Sequence, residues 1–319
     1  MTEQTMRAVQ QRTFGGPEVL KLVTVPVPSP GPNEVLVRVR GSSLNAADSG
    51  ARSGGLKLMT GRKFPKGTGV DFAGEVAALG AGVTDLKVGD KVWGYLGGFP
   101  GATGTAAEYA IIKRAGVSRA PTSLDLAKAS ALPAVALTAL QALRALSVKA
   151  GDRLLITGAS GGVGSSAVQL GVALGARVTA VCSAANAGLV RSLGADQVID
   201  YATADLAALP ANFDVALDCH GSRLGQYRRL VARGGKFGSI TMKGFAKIPV
   251  WLITPGPRLR PIAVKTNSAD LQRLAEYVDA GKLKPVIDKE YTLEDIVAAH
   301  RALDSGHAAG KRVLRVTPG

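Results

Sequence analysis

The amino-acid sequence predicts an α/β protein of two lobes, a β-rich lobe followed by a doubly wound parallel sheet covered on both faces. Three observations predict it. The 319 residues are 46% hydrophobic, enough chain for two cores. Up to about residue 125, short β-type runs such as Glu34–Arg40 and Gly74–Leu79 are punctuated by Gly, Pro and Asn. From Ser130 onward strand-like and helix-like runs alternate, the pattern of parallel strands joined by crossovers.

The second lobe opens with helical periodicity over Ala134–Leu146, a turn at Val148–Asp152 and the strand Arg153–Thr157. Further strands are expected at Arg177–Cys182, Gln197–Asp200, Phe213–Cys219, Gly235–Ile240 and Pro261–Lys265, mostly with helical segments between them. A helix over Ala269–Ala280, a strand at Val286–Tyr291, a helix over Leu293–Leu303 and a strand at Arg312–Val316 are expected to return to the first lobe. The expected domains are residues 1–125, completed by 268–319, and residues 126–267.

Lys and Arg number 39 against 24 Asp and Glu, a net charge of +15. Such an excess suits an anionic partner. The basic residues are scattered, though, and groups such as Arg223, Arg228, Arg229 and Arg233 lack the series of interleaved aromatics that single-strand binding would require. Nucleic acid is therefore not expected as the primary partner, while weak, salt-sensitive membrane contact fits the charge. No window reaches the length of a membrane span, and residues 1–11 lack a signal-type apolar run. Cys182 and Cys219, the only cysteines, lie in apolar strand-like runs and are expected to be reduced and buried. A cytoplasmic protein is the expectation.

The segment Thr157-Gly-Ala-Ser-Gly-Gly-Val-Gly164 joins a buried strand to the apolar helix expected over Ser165–Leu174. Glycines there let a pyrophosphate touch the backbone and meet helix N-terminal N–H groups. Against G-x-G-x-x-G the chain offers Ala159, Gly161 and Gly164, so one glycine is replaced and an ordinary Gly-rich turn is the alternative. An NAD site usually adds an acid at the end of the second strand to hold the ribose 2′-hydroxyl. Between Asp152 and Asp196 there is no acidic residue; the strand ends in Cys182-Ser183, followed by Asn186 and Arg191. A 2′-phosphate meets no carboxylate there, which favours NADPH.

Zinc needs three or four Cys, His or carboxylate ligands in tetrahedral reach. Two cysteines and three histidines, His220, His300 and His307, do not supply a catalytic set, and no metal site is expected. His300 and His307 are expected to be solvated on or beyond the last helix. The one Gly-x-Ser-x-Gly match, Gly158–Gly162, lies inside the Gly-rich turn, so Ser160 is expected to serve phosphate binding and no nucleophile elbow is expected. Tyr95 and Tyr109 are possible proton donors, with a core or surface role preferred for each; no catalytic residue is assigned.

Over essentially the whole chain the sequence resembles the zinc-independent quinone oxidoreductase branch of the medium-chain dehydrogenase/reductase superfamily, close to the chloroplast-envelope and mitochondrial quinone oxidoreductase homologues. The resemblance is carried by Asn45-Ala-Ala-Asp48 with Arg52 and Gly54, Gly69–Val76, Val88–Gly94, Ala107–Tyr109, the Gly-rich turn, and Leu193–Asp196 leading to Val198–Tyr201. It implies a GroES-like β-rich catalytic domain, a Rossmann domain, and a cleft between them for the nicotinamide. Asn45, Ala46 and Asp48 would line the nicotinamide end, with Thr138 approaching it. Gly161, Gly162 and Val163 would hold the pyrophosphate, and Ser183, Asn186 and Tyr201 would surround the adenosine 2′-phosphate. His220, Ile240, Thr241, Val264 and Lys265 match the ends of later strands, and Lys311 resembles a further cofactor contact. The family lysine often found near Asn186 is absent, as is the aromatic that often follows Arg52-Ser-Gly54.

The implied activity is hydride transfer from NADPH to a quinone or an α,β-unsaturated carbonyl, in a homodimer joined along the Rossmann edge strand. Alternatives are a reductase of enoyl thioesters or aldehydes, and a non-catalytic protein that binds NADPH or RNA. The apolar stretch Ile248–Ile253 reads equally as a lid or subunit contact and as a buried loop.

Overall fold

Alternation of apolar and polar side chains makes Glu34–Leu44 an 11-residue strand, the longest in the chain and the spine of its first half. A computed structural model describes residues 4–241, 251, 256–306 and 309–316. The chain divides into two units, one of Met1–Ala134, Thr266–Gly281 and Pro285–Gly319, the other of Val135–Lys265 and Lys282–Lys284.

In the first unit a seven-stranded sheet runs in the order Ile287–Thr292, Lys311–Arg315, Glu34–Leu44, Asp71–Leu79, Lys91–Tyr95 and Val117–Arg119, with Tyr109–Lys113 also paired to Glu34–Leu44. The spine strand shifts register against Asp71–Leu79 at Leu36/Val37 and again at Val39/Gly41. Those irregularities bend it, so its first half pairs with Tyr109–Lys113 and its last residues pair with Lys311–Arg315. Gly41 is needed at the bend, because a Cβ there would lie 2.5 Å from the Cα of Ala127. Val35, Val37, Val39, Phe72, Ile112 and Leu314 fill the core beneath this sheet, and a three-stranded sheet of Lys21–Pro26, Thr5–Gln11 and Lys66–Gly67 completes the unit.

The second unit is built on six parallel strands in the order Gln197–Asp200, Arg177–Cys182, Arg153–Thr157, Phe213–Asp218, Val231–Ser239 and Leu259–Pro261. Strand order reverses at Arg153–Thr157, and in such sheets ligands bind beyond the strand ends at that reversal. The Gly-rich turn leaves from the end of this strand.

Several expectations need adjustment. Residues 201–212 cross between strands as turns, without a helix. The sixth strand is Leu259–Pro261, earlier than expected, because the chain at Lys265 is held by Gln141 instead: Gln141 Nε2 donates to the Lys265 carbonyl, and the Lys265 N–H donates to Gln141 Oε1, both at 2.9 Å. His300 is fully buried on the helix Ile296–Asp304, where it shares a face with Ile296 and Ala299, rather than solvated. His307 lies outside the described residues, as does the stretch Ile248–Ile253 apart from Trp251, whose ring meets Phe237 edge-on at 5.6 Å. Among the described residues no helix is long and apolar enough to cross a membrane.

Candidate functional site

The helix after the turn begins at Gly162, and its N-cap, Gly161, gives it no side-chain cap. Its first N–H groups thus keep their hydrogen-bonding capacity for a ligand, on the positive end of the helix dipole. Gly158 holds a left-handed conformation with φ 63°, and a Cβ on Gly164 would fall 2.1 Å from the Gly158 carbonyl oxygen. Gly164 therefore serves close packing of turn on helix, whereas Gly161, whose Cβ would lie 3.4 Å from that oxygen, leaves the approach to the backbone open. An uncapped helix end behind an open glycine face fits a diphosphate.

Around this turn the structure gathers the residues expected at the adenosine end. Asn186 Nδ2 donates to Ser160 Oγ at 3.1 Å, tying the turn to the segment after Cys182. Ser183 is the N-cap of that segment, and the Tyr201 N–H donates to the Cys182 carbonyl at 3.2 Å. Ser183, Asn186 and Tyr201 are thereby neighbours of one strand end. One residue was not anticipated: Arg223, held at φ 50°, donates from Nη1 to the Tyr201 carbonyl at 2.7 Å. A non-glycine residue in that conformation is strained and signals a constrained position. The nearest acid, Asp200, has its carboxylate turned to its own bend, accepting from Ala202 N–H and Thr203 Oγ.

A second unanticipated residue, Asp218, closes the far side of the turn. Fully buried at the end of its strand, it accepts from Thr157 Oγ and Ser239 Oγ, both at 2.7 Å, and from the N–H groups of His220 and Gly221. It thus fixes three adjacent strand ends and the loop carrying His220, whose Cβ stands 3.2 Å from where a Cβ on Gly158 would be. Ile240 N–H donates to the Asp218 carbonyl, and Thr241 Oγ lies 3.0 Å from Ser239 Oγ. Thr138 is buried on the helix Pro133–Ala145; Val264 is half-buried and Lys265 exposed on the loop held by Gln141.

In the first unit Asn45 and Lys311 converge on another buried acid, Asp71, and Asp48 is tied to the same place through Asn45. Asp71 accepts from Ala134 N–H at 2.6 Å, from Ser43 Oγ and Asn45 Nδ2 at 2.8 Å each, and from Lys311 Nζ at 3.3 Å. Lys311 Nζ also donates to Asn45 Oδ1 at 2.6 Å and to the Leu44 carbonyl at 2.7 Å. The Asn45 amide is held from both ends and retains one N–H. Asp48 caps the helix Ala46–Ser53 by accepting from Asn45 N–H at 2.7 Å, and from Gly69 N–H at 3.1 Å. Ala46 is exposed on the first turn of that helix.

Burial shapes the titration of this cluster. It pushes the Asp48 carboxyl up to about 6 against the lowering pull of the Asn45 and Gly69 N–H groups. Burial lowers Lys311, with Asp71 and Asp48 opposing. Tyr95, paired with Asp71 across the sheet, is pushed up to about 12 by burial and the two carboxylates, so its phenol stays protonated at neutral pH. Thr68 Oγ stands 3.5 Å from both Asp48 Oδ1 and His300 Nε2, and burial lowers His300 to about 4.

Among the described residues no group of three or more His, Cys, Asp or Glu could hold a metal ion. Cys182 is buried and Cys219 half-buried, both free, and burial pushes both thiols up.

Comparison with known proteins agrees with these features. Residues 31–122 match the alcohol dehydrogenase GroES-like domain, and residues 193–314 match the zinc-binding dehydrogenase family. The chloroplastic quinone-oxidoreductase QR1 of Triphysaria versicolor is 38% identical over 98% of this chain and 99% of its own length. The chloroplastic NADPH-dependent alkenal/one oxidoreductase of Arabidopsis thaliana is 33% identical, covering 98% of this chain and 80% of its own. The solved quinone oxidoreductase of Coxiella burnetii superposes with a TM-score of 0.90 at 34% identity, over 98% of this chain and 100% of that one. At such identity along almost the entire length, the chain belongs to the quinone oxidoreductase branch of the medium-chain dehydrogenase/reductase superfamily.

Proposed function

We propose that this protein reduces quinones or α,β-unsaturated carbonyls with NADPH, by direct hydride transfer and without zinc. The observation that carries this reading is the strand end that gathers Ser183, Asn186 and Tyr201: the hydroxyl and amide there are half-buried, the Arg223 guanidinium is exposed and tied to the Tyr201 carbonyl, and the Asp200 carboxylate is engaged in its own turn. A 2′-phosphate gains charge-assisted hydrogen bonds there, whereas a free ribose finds no carboxylate to hold it. The relatives named as quinone oxidoreductases and as an NADPH-dependent alkenal/one oxidoreductase support the acceptor class.

Reduced nicotinamide supplies the hydride when bound. The tasks of this chain's residues are to bind and orient. The N–H groups after Gly161 hold a diphosphate, Asp218 keeps the strand ends and the His220 loop in register, and the remaining N–H of Asn45 is free to donate to a carbonyl oxygen. Asp71 and Lys311 fix that donor's direction, the kind of preorganisation that aids charge development on oxygen. Zinc independence is supported by the absence of a ligand cluster among the described residues. A homodimer is proposed along the edge strand Leu259–Pro261, and light scattering that returned a monomer would remove it.

The test is steady-state NADPH oxidation with a panel of quinones, enones, enoyl thioesters and aldehydes, repeated with NADH. The expected result is turnover with quinones or enones and a higher kcat/KM for NADPH. A clear preference for NADH, or cofactor binding with no turnover, overturns the reading.

A further inference from the structure

Among the described residues only five large apolar side chains are exposed, and two of them are neighbours: Leu58 is 94% exposed and Met59 63%. They sit on the short helix Lys57–Thr60, which Gly61 ends. Lys57, Arg62 and Lys63 flank them, all exposed and none in an ion pair among the described residues. An isolated exposed leucine needs no explanation. Two adjacent ones, ringed by three unpaired cations, do.

The base of this tip is braced. Lys66 is buried, donates from Nζ to the Thr60 carbonyl at 2.6 Å, and lies over the rings of Phe64 and Phe14 at 5.5 and 5.9 Å. The two rings meet edge-on at 5.0 Å. Leu58 and Met59 therefore project from an anchored support, while the aromatic side chains of the region are spent on the brace.

We propose that this tip is a lipid-docking element, with Leu58 and Met59 entering the headgroup–acyl boundary of an anionic bilayer and Lys57, Arg62 and Lys63 meeting its phosphates. Interfacial anchoring takes two signals, each weak alone: apolar side chains at shallow depth and cations that see the negative surface potential. Both are present within seven residues, and the net charge of +15 adds long-range attraction. A folded protein partner is a poorer fit. Such interfaces bury about 800 Å² per side with a packed apolar centre, whereas a projecting pair of side chains among solvated cations is a point. Single-stranded nucleic acid would need exposed aromatics to stack on, and the tip has none.

The experiment is flotation of the full chain with protein-free vesicles of phosphatidylcholine, with and without phosphatidylglycerol. The protein is expected to float with phosphatidylglycerol vesicles at low salt, to be released as salt rises, and to stay behind with phosphatidylcholine alone. The double variants L58S/M59S and R62E/K63E should each lower partitioning by at least about tenfold with unchanged thermal melting. K21E/K113E, which makes the same change in net charge at exposed positions elsewhere, should lower it less. An L58W variant should shift its emission to the blue on adding phosphatidylglycerol vesicles. Absence of wild-type flotation, full binding by L58S/M59S, equal losses from the two charge-reversed pairs, or unshifted L58W emission would each overturn the proposal. These readouts use neither cofactor nor turnover, so their failure is distinct from failure of the reductase reading.

Discussion

Asp71 in the β-rich unit and Asp218 in the parallel-sheet unit are both fully buried, and each gathers donors from distant parts of the chain. Asp71 is met by a backbone N–H, a hydroxyl, an amide and the Lys311 ammonium. Asp218 is met by two hydroxyls and two backbone N–H groups. One network is balanced by a formal charge and the other by dipoles alone. In the first, removing either member strands the other charge in a dry environment, which costs far more than the pair contributes. In the second, a missing acceptor leaves neutral donors unsatisfied. The two units thus reach the same rigidity by means that fail differently.

The sharpest test is Asp71→Asn, expected to destabilise by about 3–5 kcal/mol in urea denaturation because Lys311 loses its counter-ion. Adding Lys311→Met should recover part of that loss, and no recovery would break the comparison. Next in size is a pair of opposed pH dependences inside the β-rich unit. The folded-state value of Asp48 near 6 lies above its ordinary 3.8, so the folded form holds a proton there that the unfolded form has lost. Stability then falls as pH rises from about 4 to 6. His300 near 4 lies below its ordinary 6.5; the unfolded form holds the extra proton, and stability rises from about 4 to 6.5. Each group contributes on the order of 3 kcal/mol, with opposite sign, so the two largely offset one another in the native protein. Melting against pH should slope downward for His300→Gln and upward for Asp48→Asn, and parallel profiles would refute the assignment.

Asp218→Asn should cost less than Asp71→Asn, about 1–3 kcal/mol, because no charge is stranded. A loss equal to that of Asp71→Asn would erase the distinction between the networks. The smallest effect is expected for Arg223→Ala, a weakening of NADPH affinity by about tenfold with NADH affinity unchanged. Titration with 2′,5′-ADP reads this directly, and equal weakening for both cofactors would mean that Arg223 only supports the loop.

What the sequence reveals and conceals follows the distance over which contacts form. The strand Arg177–Cys182 is legible residue for residue because its β-branched run lies between Gly175 and Ser183. Asn45, Asp48 and Lys311 are reachable only through resemblance, and the group that joins Asn45 to Lys311, Asp71, has donors 26, 28, 63 and 240 residues away. Asp218 hides at the end of an apolar strand, where the only local signal is a carboxylate after Val-Ala-Leu. Arg223 reads as one solvated arginine among several until folding brings it to Tyr201. His300 carried a usable signal: with Ile296 and Ala299 it repeats at helical spacing, which placed it on the inward face.

The position of strand Lys311–Arg315 between Glu34–Leu44 and Ile287–Thr292 also bears on how the protein is born. During synthesis every residue of the parallel-sheet unit is made before Lys311, which follows Asp71 by 240 residues. A nascent chain can therefore complete the synthesis of its parallel-sheet half early, but its β-rich half must hold an open sheet edge and an unneutralised carboxylate until the late strand arrives. That interval is when chaperone protection matters most.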